Sequence, residues 1–111
     1  MTDAPHGPAT EIPETGVAYL GGAFVPFAEA TVSIATHALQ YGTGVFEGIR
    51  AYWNAPAEQL YVFRLREHFE RMTRSCRIVR IGLPGDADEL SEIVLELLRR
   101  NAFRKIGRAH V

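Results

Sequence analysis

The hydrophobic and polar positions of the chain follow two different periods, and the change falls near Phe63. Before this point, short apolar runs alternate with turn residues, which is typical of β-strands. After it, apolar residues recur every three or four positions, which indicates amphipathic helices. Strands that precede helices favour an α+β fold, with antiparallel strands and two helices packed on the sheet.

Strands are predicted near residues 17–27, 45–52 and 60–63. The first region is a hairpin, because Gly21-Gly22 separates two apolar runs and suits a two-residue turn. Pro26 has no N–H to donate, so the second run lies at an edge or ends soon after. In the middle region, a period of two defines two faces. Val45, Glu47, Ile49 and Ala51 share one face, and Phe46, Gly48, Arg50 and Tyr52 share the other.

Helices are predicted near residues 65–79 and 87–101, with one more helical turn at residues 37–41. Asp86 and Glu89 have the spacing of a capping box at the start of the last helix. The apolar stripes consist of Leu65, Phe69, Met72, Cys76 and Val79 in one helix and Leu90, Ile93, Val94, Leu97 and Leu98 in the other.

Composition and charge exclude several classes of protein. The 111 residues suffice for one domain, and 47% apolar with 23% charged residues is typical of globular chains. A net charge of -1 without a basic stripe argues against nucleic-acid binding. The single cysteine excludes an internal disulfide. No apolar run approaches the ~18 residues of a membrane span, and the N-terminus lacks a signal-peptide pattern, so we expect a cytoplasmic protein.

Two groups of residues could carry chemistry. The strand face with Phe46 and Arg50 could be a pocket wall with a cationic anchor, although a solvated face is the more frequent arrangement. Arg64, His68 and Arg71 lie along one edge of a helix and could hold a phosphate or carboxylate. The alternative is again a solvated face, here balanced by neighbouring glutamates.

Two long motifs, at residues 36–52 and 63–72, resemble the branched-chain amino acid aminotransferases, which are pyridoxal-phosphate enzymes of fold-type IV. Residues 19–26 are similar to the first hairpin of that family, and the resemblance covers about residues 17–101. It implies reversible amino transfer between leucine, isoleucine or valine and 2-oxoglutarate. The implied partners are small amino acids and 2-oxo acids, without nucleic acid or membrane, in a homo-oligomer built from dimers. The alternative function is a non-catalytic module of the same fold that binds an anion or a partner.

The resemblance also implies roles for individual residues. Arg71 matches the arginine that holds the phosphate of the cofactor, pyridoxal 5'-phosphate. Tyr41 and Phe46 match residues that line the substrate pocket. Arg50 matches an arginine beside that pocket, which orients Tyr41 or the substrate carboxylate through water. The role of Glu47 is left open.

The resemblance places the lysine that carries the cofactor beyond this chain, whose only lysine is Lys105. The match decays after residue 104, and one back-translation of residues 106–111 equals a common sequencing adapter. We therefore expect residues 105–111 to be a non-native tail outside the packed core. Residues 16–104 are then the small N-terminal domain of an aminotransferase, and residues 1–15 are a disordered lead-in. The chain alone is expected to be inactive.

Overall fold

The computed structural model describes residues 15–102 and the backbone of one short strand at residues 107–108. The order of elements confirms the predicted α+β fold with antiparallel strands. Two sheets are present in this part of the chain, with the orders β1-β2 and β4-β3-β5. The strands are β1 (Val17–Leu20), β2 (Ala23–Pro26), β3 (Arg50–Asn54), β4 (Gln59–Val62) and β5 (Gly107–Arg108), and the helices are α1 (His37–Tyr41), α2 (Leu65–Val79) and α3 (Ala87–Asn101).

The two ends of the chain carry predictions that the structure tests little. The lead-in falls almost wholly outside the described residues. Of residues 105–111, only the backbone of β5 is described, and it pairs antiparallel with the start of β3. Lys105 lies outside the described residues. The non-native tail therefore stays a prediction.

The first hairpin forms where the glycine pair predicts it. Gly21 and Gly22 adopt φ angles of 62° and 86°, and both lie in the left-handed region that glycine tolerates. Pro26 is the last residue of β2 and lies opposite Val17. A short 3-10 helix, Phe27–Glu29, follows at once. The strand thus ends at the proline, as its missing N–H suggests.

The strand predicted over residues 45–52 begins later than expected, at Arg50. Its partner β4 ends at Val62, because α2 begins three residues later, and Ala51 is already opposite Val62. No strand in the described part of the chain remains to pair with residues 45–49. Side chains in this segment nevertheless alternate between sheltered and exposed, so the predicted assignment of faces is correct.

Both long helices have the bounds that the apolar period predicts. At the start of α3, the N–H of Glu89 donates to Asp86 Oδ1 at 2.8 Å. The N–H of Asp86 donates in return to Glu89 Oε1 at 3.3 Å, which completes the predicted capping box. The C-terminal end of α2 is followed by Arg80, which has a left-handed φ of 58°.

The core lies between β3 and the two long helices. Its buried cluster contains Ile49, Ala51, Phe69, Leu90, Val94 and Leu98. Cys76 is also buried, in agreement with its place on the apolar stripe of α2. No helix in residues 15–102 combines the length and hydropathy that a membrane crossing requires.

The end of α3 attaches the first hairpin to the rest of the domain. Asn101 Nδ2 donates to the carbonyl oxygen of Val17 at 2.9 Å, and Asn101 Oδ1 accepts from the N–H of Val17 at 2.9 Å. The guanidinium of Arg100 lies 4.1 Å from the ring centre of Phe24, within the range of a cation–π contact. The hairpin is therefore held by side chains rather than by the second sheet.

Candidate functional site

A cluster of three side chains joins α2 to the segment that precedes β3. The carboxylate of Glu47 accepts hydrogen bonds from Arg71 Nη2 at 2.7 Å and Arg71 Nε at 2.9 Å. His68 Nδ1 lies 2.6 Å from Glu47 Oε1. The side chain of Glu47 is only 7% exposed, whereas that of Arg71 is 60% exposed. The cluster thus has a sheltered anion at its base and an open cation at its rim.

The pairing with Glu47 uses one edge of the guanidinium of Arg71. Nε and one hydrogen of Nη2 point to the carboxylate. Among the described residues, Nη1 has no hydrogen-bond partner, so the Nη1–Nη2 edge can bind a second anion in a bidentate manner. A carboxylate accepts but does not donate, so His68 Nδ1 carries the hydrogen of its short contact with Glu47.

The charges of the pair stabilise each other. The hydrogen bond from Arg71 lowers the pKa of Glu47 below its ordinary value, against the opposing effect of burial. The same hydrogen bond raises the pKa of Arg71. Glu47 is therefore ionised and Arg71 charged throughout the physiological range.

This lowered pKa predicts a dependence of stability on pH. A carboxylate whose pKa is lower in the folded state stabilises the fold above its unfolded pKa of about 4.3. The contribution is lost as the pH falls through the folded value. Glu47→Gln should therefore lower the free energy of unfolding near neutral pH, and the difference from the wild type should shrink below about pH 4. Urea unfolding at a series of pH values measures it. A difference that is constant from neutral to acidic pH would contradict this assignment.

The predicted edge of three cations is only partly assembled. His68 and Arg71 meet at Glu47, as described above. Arg64 lies apart from them: it precedes α2 with a left-handed φ of 51°, and its guanidinium is 5.5 Å from the ring centre of Phe63. A residue in that conformation is not on the helix, so the spacing of four residues to His68 does not bring the two side chains together.

The three residues predicted to contact substrate lie in open positions. Tyr41 ends α1 and is 76% exposed, with its ring 4.6 Å from that of His37. Phe46 is 89% exposed, and Arg50 is exposed on β3. Tyr52 of β3 is opposite Tyr61 of β4, so the exposed side of this hairpin is aromatic around Arg50. Within residues 15–102 this face is an open surface rather than an enclosed pocket, and its role in substrate binding stays a prediction.

The comparison with known families decides the classification. The model of the family described as amino-transferase class IV matches residues 44–111. The chain belongs to this family. The match contains the Glu47–His68–Arg71 cluster and the exposed hairpin.

Individual relatives of this class IV chain are branched-chain aminotransferases. A probable branched-chain-amino-acid aminotransferase of Aquifex aeolicus is 46% identical over 88 residues, which cover 79% of this chain and 28% of that protein. The branched-chain aminotransferase of Thermoproteus uzoniensis, solved with norvaline, has a TM-score of 0.77 and 48% identity over 83% of this chain and 30% of that one. The branched-chain amino acid aminotransferase of T.th., solved with pyridoxamine 5'-phosphate, has a TM-score of 0.74 and 46% identity over 81% and 29%. The chain spans less than a third of the length of these relatives.

The contribution of Glu47 to this class IV site is the one that the sequence analysis left open. A signal for it was present. Glu47 shares the predicted inner face with Ile49 and Ala51, and a charged residue on a buried face requires a partner of opposite charge. The partner is 24 residues away in sequence, on another element, so the pattern alone does not name it.

Proposed function

We propose that this chain is the small-domain part of a branched-chain amino acid aminotransferase. The complete protein would transfer the amino group of leucine, isoleucine or valine to 2-oxoglutarate, with pyridoxal phosphate as cofactor. The names of the relatives support this choice. The observation that carries it in this chain is the exposed guanidinium of Arg71, which is held on one edge and open on the other.

The residues of the cluster fit the phosphate of that cofactor. A guanidinium binds phosphate through two parallel N–H groups, and Arg71 offers such an edge. When bound, pyridoxal phosphate supplies the electron sink for amino transfer. In this proposal, the chain contributes Arg71 as phosphate ligand, with His68 beside it.

The exposed side of the β3–β4 hairpin fits the proposed substrates. Aromatic side chains such as Phe46 suit the apolar end of a branched substrate, and Arg50 suits a carboxylate. Exposed aromatic residues on a folded domain are typical of surfaces that contact other parts of a protein or a ligand. We therefore propose Tyr41, Phe46 and Arg50 as substrate-contacting residues of the complete protein. Following the resemblance, we propose that it is a homo-oligomer built from dimers.

An activity assay of the complete protein tests the proposal. The full open reading frame should be expressed and the purified protein mixed with 2-oxoglutarate and one amino donor at a time. Glutamate should form with leucine, isoleucine and valine, and D-alanine serves as the control donor. Transfer from D-alanine alone would contradict the proposal. Tight anion binding without any transfer would favour the alternative of a non-catalytic binding module.

The 111-residue chain by itself should transfer no amino group. A lysine that holds the cofactor must be neutralised by burial or neighbouring charge, and the resemblance places that lysine outside this chain. The only lysine here, Lys105, follows the point at which the resemblance decays. After incubation with pyridoxal phosphate and dialysis, the absorbance of a covalent adduct should be absent. A stoichiometric adduct that survives dialysis would refute the expectation.

A further inference from the structure

We propose that Glu47 is a positioning residue, which orients the guanidinium of Arg71 for the phosphate of the cofactor. The proposal rests on the proposed function, because it takes Arg71 to be the phosphate ligand. It adds a role for a residue that does not itself contact the phosphate.

The base of the cluster is rigid, whereas its rim is not. Glu47 lies two residues before Ile49, which belongs to the buried cluster, and its own side chain is almost fully sheltered. Arg71 projects from the exposed edge of α2, where a long side chain samples many rotamers in water. Two hydrogen bonds along one edge of the guanidinium restrict it to one plane and one direction. The core thus determines, through Glu47, where the Nη1–Nη2 edge lies.

Glu47 also holds His68. The contact of 2.6 Å requires the hydrogen on Nδ1, which leaves Nε2 as the imidazole atom turned away from the carboxylate. Both basic side chains at the rim are therefore oriented by the same carboxylate. An apolar residue would fill this sheltered position at a lower desolvation cost, so its use here indicates a task other than packing.

The charge of Glu47 and its positioning effect act in opposite directions on phosphate binding. A carboxylate near a phosphate repels it, so its removal should by electrostatics alone strengthen binding. Removal of an orienting partner should weaken binding, because the arginine must then be ordered by the ligand itself. This opposition of signs makes the proposal testable with a single substitution.

The test is the dissociation constant of pyridoxal phosphate for the complete apoenzyme, measured by equilibrium dialysis at physiological ionic strength. Glu47→Leu, which removes both charge and acceptor, should raise this constant by about three- to tenfold. Glu47→Gln keeps one acceptor oxygen and should have a smaller effect. Glu70→Leu is the matched control, because Glu70 pairs with Arg66 on the same helix and not with Arg71. It should leave the constant unchanged.

Two further measurements identify the cause of any change. Pyridoxal, which has no phosphate, should bind wild type and Glu47→Leu equally well, whereas a misfolded variant would lose both ligands. In an Arg71→Ala background, Glu47→Leu should have no additional effect. Glu47→Asp keeps the charge but withdraws the carboxylate, and it should also weaken phosphate binding.

The outcomes separate this inference from the proposed function. If Arg71→Ala does not weaken the binding of pyridoxal phosphate, the proposed phosphate site itself is wrong. If Arg71→Ala weakens it but Glu47→Leu leaves it unchanged or strengthens it, the site stands and the positioning role of Glu47 is overturned. An equal loss from Glu47→Leu with and without Arg71 would overturn it as well.

Discussion

Replacing Arg71 with alanine in the complete enzyme should weaken the binding of pyridoxal phosphate by about ten- to a hundredfold. The substitution removes a charged, bidentate donor whose free edge is already oriented by Glu47. The dissociation constant of the cofactor, measured at fixed salt because phosphate contacts are screened, reports the effect. Arg71→Lys keeps the charge but loses the planar fork, so it should recover only part of the loss.

Arg74 provides a control on the same helix. It is exposed and lines a different hollow between α2 and α3, together with Glu70 and Leu83. Arg74→Ala removes the same charge three residues away and should leave cofactor binding nearly unchanged. Equal dissociation constants for Arg71→Ala and Arg74→Ala would mean that this edge of α2 is only a solvated face.

Replacing Phe69 with alanine should lower the free energy of unfolding of the chain by about 3–5 kcal/mol. Phe69 is 2% exposed and packs in the cluster that joins α2 to β3 and α3. The cost combines the lost burial of the ring with the cavity that remains. Because domains of this size are stable by only about 5–15 kcal/mol, much of the chain would unfold in mild denaturant. Urea unfolding, followed by circular dichroism, measures the loss.

Ile78 is the matched control for this substitution. It lies on the same helix and is also apolar, but its side chain is 83% exposed. Ile78→Ala in the 111-residue chain should change the free energy of unfolding by less than about 0.5 kcal/mol. Losses of similar size for the two substitutions would show that α2 does not bury Phe69 in the way described.

The two long helices and the first hairpin could be predicted from the sequence, and the reason is local. The bounds of α2 and α3 follow from apolar spacing and from the Asp86–Glu89 capping box, whose partners are three residues apart. The hairpin follows from a glycine pair that tolerates positive φ. Each of these signals lies within one or two turns of chain, so no distant contact is needed to interpret it.

The start of β3 could not be predicted in the same way. Residues 45–49 have the alternation of a strand, and their side chains alternate as expected. A ladder, however, requires a second strand, and β4 ends where α2 begins. The helix signal after Phe63 thus limits the sheet on the opposite side of the hairpin, which a window over residues 45–52 does not contain.

The sequence by itself determined the α+β order, the helices, the inner and outer faces of the segment before β3, and the resemblance that points to Arg71. Only the tertiary structure decided that Arg71 and His68 share the carboxylate of Glu47, while Arg64 turns away to Phe63. Periodic patterns report which face of an element is buried. They do not report which charged group 24 residues away supplies the partner, because that depends on how α2 packs across the core.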